Sequence, residues 1–477
     1  MKDFDQQLFW ATIPELNARL KAREVSAVEL ARAFGERIER LGPRYNALAL
    51  PMTEIAIRRA KVVDAEFKRE RLRGPLQGVP FAAKDLLSVA GQITTWGARP
   101  YAAQVFDYTA TVLTKLDKLG SLLMAKLAMV ELAGGGGYNT AAASLFGPGL
   151  NPWDRTRWAG GSSSGSAAAI AAGLVPFALG SETSGSILTP AAFCGVTGLR
   201  PTYGLVSRHG AMALSWTMDK IGPLARTAED CALVLQAIAG KDPLDPSSSG
   251  KSFYYVPKYA RKFSDLKVGF SAIDFSDRAD APLRPALAQA LETVKSLGVQ
   301  VVEAKLPDFP YGAMTGAIIG AEGASIFEPL ITSGQVDQLS DPDQIAGLKA
   351  RLEMPAKDYL KAMRIRSLMQ HEFRKLFADV DILLAPARYS VAPLVSQPLD
   401  YKAPDAPKEP DDPGMSSLIP AGNLGGMPAL SLPCGFAGGL PVAIQLVGNP
   451  FSENTLLAVG KAFQDRTDFH RQRPKVD

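Results

Sequence analysis

Apolar residues near the start of the chain recur at helical spacing. Val28, Leu30, Ala31, Phe34 and Ile38 share one face of a helical period. Ser26-Ala-Val-Glu29 just before them has the form of a capping box, in which serine and glutamate satisfy the free N–H groups of a helix start. Residues 1–70 therefore predict helices. The pattern then changes. Gly78–Ala83 is a short apolar run that stops at Lys84-Asp85 and predicts a strand. Ala110–Leu119 predicts a helix and Ser121–Ala125 another short strand. Ser166–Ala172 is too rich in alanine for a surface helix and predicts a buried one with close neighbours. Leu266–Phe270 and Val299–Ala304 read as strands on either side of a helix, Arg284–Leu297. Tyr311–Leu360 is helical but weakly patterned. Ile382–Ala385, Ala429–Pro433 and Ala443–Val447 read as strands, and Glu453–Gln464 as a closing helix. Strands alternating with helices predict α/β architecture.

Two polar stretches interrupt the pattern. Gly240–Ser264 reads as a surface connection, and Ala392–Gly414, rich in Pro and Asp, as a long loop that could cover a site. No internal repeat is visible. The composition is globular, with 47% hydrophobic and 21% charged residues. A net charge of +4 and the lack of long like-charge blocks give no reason to expect nucleic acid. The 3 cysteines, Cys194, Cys231 and Cys434, are far apart and predict buried free thiols. MKDFDQQLFW has no apolar leader region. Ala167–Gly180 is apolar but broken by Gly173 and Pro176, so it predicts a buried helix leading into a strand and not a membrane span. The expectation is a cytoplasmic protein without membrane or nucleic-acid partners.

The candidate chemistry lies in Gly160–Thr202, where two Gly/Ser loops flank a small-residue helix. Cleaving an amide needs an activated nucleophile, a base that later becomes an acid, and donors for the oxyanion. Histidine is the usual base, but His371 lies in a charged helical stretch and His470 in a basic terminal one. His209, in a turn, could line a pocket. Gly161-Ser-Ser163-Ser-Gly165 matches the G-x-S-x-G elbow, yet NPWDRTRWA before it is polar and turn-like, whereas that elbow needs a buried strand. A neutral lysine can replace histidine, because burial removes the hydration that stabilises an ammonium. Lys84, alone at the end of GVPFAA, is placed for that.

These segments resemble the amidase signature family. So do LKAREVSAVELARAFGERIERLGPRYNAL, FGPGLNPWD, TGLRPTYGLVSRHG, PAGNLGGMPALSLPCGF and LPVAIQLVG, in family order over most of the chain. The resemblance is weakest over 240–380. It implies a single α/β domain over 1–477, with a helical part at 1–70, a signature core at 71–235, a variable part at 236–380 and closing core strands and helix at 381–477, built on a large mixed, twisted sheet with helices on both faces. It carries the family's lysine onto Lys84, its bridging serine, often on a cis peptide, onto Ser162, and its nucleophile onto Ser186. The oxyanion hole falls on the backbone N–H groups of Thr183, Ser184, Gly185 and Ser186, with Ser163 in support. The chain departs from the family pattern at Ser164-Gly165, at Glu182-Thr-Ser184-Gly-Ser186, at Leu188 where an arginine is common, and at His209.

The resemblance implies a stand-alone, metal- and cofactor-independent hydrolase of small amides, urethanase-like in that the same relay can cleave carbamates or esters. The alternative is the glutaminase subunit of a tRNA-dependent amidotransferase. Leu127–Tyr138, with Gly134, Gly135 and Gly136, is expected to line the acyl side, and Trp216 and Met218 to be near the cleft. No charged cluster is visible there, so the expected substrate is uncharged and fairly apolar. The expected partners are that amide or carbamate and, at most, a second copy in a homodimer.

Overall fold

Pairing between segments far apart in the chain builds one mixed sheet, with the Gly160–Thr202 segment near its middle. The computed structural model describes residues 4–402 and 410–476. In chain order its strands are β1 (Leu48–Pro51), β2 (Pro80–Lys84), β3 (Leu122–Leu127), β4 (Leu150–Asn151), β5 (Asp154–Trp158), β6 (Phe177–Glu182), β7 (Thr197–Arg200), β8 (Lys220–Ala225), β9 (Lys267–Phe270), β10 (Gln300–Glu303), β11 (Ile382–Pro386), β12 (Ala429–Ala437) and β13 (Leu440–Gly448). Eleven of them form the sheet, in the order β1-β3-β2-β6-β8-β7-β12-β13-β11-β9-β10, while β4 and β5 pair separately.

β2 is parallel to both neighbours, β3 and β6, and every residue in it is buried. That explains its unbroken apolar sequence, since a strand covered on both faces has no polar side. The pairing of Phe81 with Phe177 and of Ala83 with Leu179 brings the C-terminal ends of β2 and β6 together. Lys84 and Ser181 meet there.

The helix Ser164–Ala171 is buried at every position. Its small side chains permit close approach: a Cβ on Gly165 would lie 2.6 Å from the carbonyl oxygens of Ala47 and Ala128. The helix Ala27–Leu41 carries the expected capping box, with Ser26 and Glu29 closing on each other. The weakly patterned middle forms the helices Tyr311–Ile326, Glu328–Thr332, Pro342–Leu352 and Ala356–Asp379. Leu188, Met218, Met314, Phe373 and Leu418 belong to a shared apolar cluster in this part.

The structure contains strands that the sequence reading lacks, β7 and β8 among them. β1 interrupts the helices of the first 70 residues, pairing antiparallel with β3 at the sheet edge. NPWDRTRWA forms the hairpin of β4 and β5. Its turn is built by side chains: Asn151 Oδ1 accepts from the Trp153 N–H, and Asp154 Oδ1 from the Thr156 N–H. β5 is partly exposed, so it is not the buried strand that a nucleophile elbow requires. Segment 403–409 of the expected Ala392–Gly414 loop lies outside the described residues. The cysteines are buried and free, as expected. Among the described residues no helix is long and apolar enough to cross a membrane.

Candidate active site

Lys84 is 0% exposed at the end of β2. Its Nζ donates to Ser162 Oγ at 2.7 Å and to Ser181 Oγ at 2.9 Å. Burial lowers its pKa from 10.5 to about 7, against the opposing pull of the Asp219 and Glu182 charges. Near neutral pH a share of Nζ is therefore unprotonated. Asp85 turns away to an ion pair with buried Lys126 on β3, 2.7 Å long, and accepts from the Thr95 N–H. Successive residues thus have separate tasks: Lys84 meets the serines and Asp85 anchors the strand end.

Ser162 follows a cis Gly161–Ser162 peptide, and its carbonyl accepts from the Val130 N–H. The Ser163 N–H donates to the Ser186 carbonyl at 3.2 Å, joining the two Gly/Ser loops through their backbones. Ser163 Oγ accepts from the Ser181 N–H and donates to the Ser181 carbonyl. Lys84, Ser162, Ser163 and Ser186 are therefore brought to one place. Ser181 joins them without having been singled out in the sequence.

Glu182 closes the Thr183–Ser186 loop. Its Oε2 accepts from the N–H groups of Ile187 and Leu188, and its Oε1 from Arg200 Nη1 and Asn423 Nδ2. Burial alone would raise the Glu182 pKa. The Arg200 charge and these hydrogen bonds outweigh it, and the carboxyl is held below its usual value. Inside the loop, Gly185 has a φ of 88°, which favours glycine. Thr183 Oγ1 donates to Asp219 Oδ1 at 2.6 Å, tying the loop to the start of β8. Leu188 is in the apolar core, so the place of the common arginine is filled by packing.

Cavities lie on two sides of this cluster. One, of about 180 Å³, is lined by Ser181, Thr183, His209, Met212, Trp216 and Asp219. Trp216 is 40% exposed at its wall, whereas Met218 is core. The other, of about 620 Å³, is lined by Gly161, Ser184, Thr189, aromatic Tyr138, Trp158 and Phe193, and residues near Arg388 and Leu399. It holds Arg157, Arg388, Asp280 and Asp400, so its wall is not the uncharged one expected. Neither cavity is lined by Gly134, Gly135 or Gly136. A Cβ on Gly134 would meet the Tyr138 ring, one on Gly135 the Leu214 and Phe327 side chains, and one on Gly136 the Gln344 carbonyl. Their close approaches are to protein.

The family model described as Amidase matches residues 29–457. A relative from Carboxydothermus hydrogenoformans, named as one of the subunits of glutamyl-tRNA(Gln) amidotransferase, is 37% identical over 98% of this chain and 100% of its own. Among solved structures, one chain comes from a vestigial protein complex tied to the origins of an s-triazine catabolic enzyme. It superposes with a TM-score of 0.86 at 31% identity, over 96% of this chain and 98% of that one. The native peptide amidase of Stenotrophomonas maltophilia superposes with a TM-score of 0.82 at 28% identity, covering 98% of each chain. The first of these relatives corrects the expectation about partners. It is one part of a larger enzyme, and that enzyme is named for a tRNA. Small net charge and the absence of basic blocks did not exclude such a setting, because one chain can work in an assembly without carrying the nucleic-acid surface itself.

Proposed function

The chain belongs to the amidase family, the amidase signature enzymes, and from that premise we propose that it hydrolyses carboxamides through a relay of Ser186, Ser162 and Lys84. Ser186 Oγ attacks the amide carbon while its proton passes to Ser162, whose own proton passes to Lys84 Nζ. Collapse of the tetrahedral intermediate breaks the C–N bond as the relay returns a proton to the leaving nitrogen. Water then attacks the acyl-Ser186 ester by the same route and regenerates the serine. N–H groups of Thr183–Ser186 face the developing oxyanion. The observation that carries this reading is the buried Lys84, with a pKa of about 7 and Nζ 2.7 Å from Ser162 Oγ.

For the substrate, the 37% identity over 98% of the chain supports the side-chain amide of glutamine. The chain then acts as the ammonia-releasing component of a tRNA-dependent amidotransferase, with partner chains and tRNA supplying the acceptor. A second reading, a larger amide such as a peptide amide, is favoured by the TM-score of 0.82 to the peptide amidase; the same relay would also act on a carbamate.

The test is turnover of glutamine, an aryl acylamide, a peptide amide, an aryl carbamate and an aryl ester by wild type and Ser186→Ala. Glutamine hydrolysis lost in the variant supports the first reading. Turnover confined to the other amides or the carbamate supports the second. Turnover unchanged in Ser186→Ala would remove the relay altogether.

A further inference from the structure

Lys84 has a hydroxyl on each side, and the relay uses only one of them. Ser162 Oγ lies 2.7 Å from Nζ and Ser181 Oγ 2.9 Å. Ser162 is buried and lines neither cavity. Ser181 is part of the wall of the smaller cavity, together with Thr183 and Asp219. It therefore stands between a fully buried amine and open space.

The fold holds Ser181 in this place. β6 pairs with β2 on one side and with β8 on the other, where Ser181 lies opposite Ile221. Ser163 Oγ engages both backbone groups of Ser181, accepting from its N–H at 3.3 Å and donating to its carbonyl at 3.2 Å. The Ser163 N–H donates to the Ser186 carbonyl, so Ser181 is also tied to the loop that bears the nucleophile.

The direction of the Ser181 hydroxyl follows from its surroundings. An ammonium has three N–H groups, and loss of a proton leaves two and a lone pair. To take the Ser162 proton, that lone pair has to point at Ser162 Oγ, and an N–H then points at Ser181 Oγ. Were Ser181 the donor, it would occupy the lone pair instead. Among the described residues the Ser181 hydroxyl donates to no protein atom, and the side open to it is the cavity of about 180 Å³, which is large enough for water. Its proton points there, and its oxygen stays an acceptor for Nζ.

We propose that Ser181 is a positioning residue for the base: its Oγ holds one N–H of Lys84, directs the lone pair at Ser162, and stabilises the ammonium formed when the relay protonates Nζ. This inference rests on the reading of Lys84 as the base of an amide hydrolase. An acceptor is worth more to an ammonium than to a neutral amine, so Ser181 keeps the Lys84 pKa from falling further. The charges that act on Lys84 are Asp219, just before β8, and Glu182, at the end of β6. Asp85 is taken up by Lys126 on β3. All of these remain in a Ser181 variant.

The experiment measures kcat/KM against pH for wild type, Ser181→Ala and Ser181→Thr, with whichever of glutamine and an aryl acylamide wild type turns over faster. In Ser181→Ala the plateau should fall about tenfold or more, through kcat and not KM, and the inflection should move about one pH unit or more to lower pH. Ser181→Thr keeps an oxygen on Nζ and should hold the inflection where wild type has it. A packing role alone lowers the rate and leaves the inflection in place. An inflection unmoved in Ser181→Ala, or moved as far in Ser181→Thr, overturns the proposal. Stability gives a readout that needs no substrate. Because the native pKa of Lys84 lies below the unfolded one, this group makes stability rise with pH between the two. Denaturant titrations of Ser181→Ala should place the lower end of that rise about one pH unit below its wild-type position. Should wild type turn over no amide, the hydrolase reading fails separately, and this displacement decides the proposal: an unmoved lower end rejects it.

Discussion

In the proposed relay Lys84 can act as the base only if it is buried, and that burial has a cost. Its pKa falls from 10.5 to about 7 because the ammonium loses water, and its serine contacts and the Asp219 and Glu182 charges offset only part of that loss. Two expectations follow from the same shift. First, kcat/KM should rise with pH through about 7 as Nζ loses its proton, and level off above. Activity of wild type across pH 5.5–9, a span of about that width around the group, checks it. A profile flat through neutrality would remove Lys84 as the base. Second, between about 7 and 10.5 the unfolded chain holds a proton at this site that the folded one lacks, so this group makes stability rise with pH over that window. Below it both states are protonated and the cost is constant. Lys84→Met should abolish most activity and remove this rise, which denaturant titrations at pH values across the window would show. An unchanged slope would mean that the native lysine keeps its ordinary pKa. Alone, GVPFAA ending in Lys84 would read as a segment with a surface lysine; the lysine was legible in the sequence only because the chain also carries the two Gly/Ser loops. Ser181 was not, because a serine in a strand carries no pattern; only the β2–β6 register brings it to Nζ.

At the scale of elements, the Gly/Ser loops were visible but what holds them was not. Sequence showed Glu182 as a departure from a family pattern. The structure shows a buried carboxylate that joins the end of β6 to the start of the next helix, with Arg200 on β7 and Asn423 from far along the chain. No local spacing reveals such a partner set, since it spans up to 241 residues. Replacing the carboxylate leaves the Arg200 charge buried and unpaired. Glu182→Gln should therefore destabilise the fold by about 3–5 kcal/mol, the usual loss when one member of a buried pair is removed. The folded fraction should also lose kcat more than it gains KM, because the Thr183–Ser186 loop is no longer fixed. Denaturant unfolding and steady-state kinetics on the same sample separate the two effects. A loss of less than about 1 kcal/mol would place Glu182 among dispensable surface-like pairs. The hairpin of β4 and β5 was hidden for a related reason: its turn is made by Asn151 and Asp154 side chains, and polar residues there read as loop.

Across the whole molecule, strand order was the part least open to sequence reasoning. Eight of the 13 strands were predicted, but β1, β4, β5, β7 and β8 were not, and nothing local says that β2 lies between β3 and β6, or β7 between β8 and β12. That order is set by long-range pairing. The parts marked off by pattern are also stitched together. Arg226, at the end of β8, donates to the carbonyls of Phe9, Ala11 and Ile170. The Ile13 N–H donates to Asp230, the Ala228 N–H to Gln464 and the Thr202 N–H to Glu453. One continuous apolar cluster runs from Leu8 to Val476. Such a core should melt as a unit, because no part can lose its packing without exposing another. Far-UV circular dichroism and tryptophan fluorescence should give coincident denaturant transitions. The probes report from different places: Trp10 lies against Arg226 and Arg37, while Trp153 donates to Cys194 beside β7. Arg226→Ala removes hydrogen bonds to three carbonyls and should move both transitions to lower denaturant together, leaving them coincident. If fluorescence instead detached from circular dichroism, the N-terminal helices would be a separately melting unit, and the division at residue 70 would be physical as well as a change of pattern.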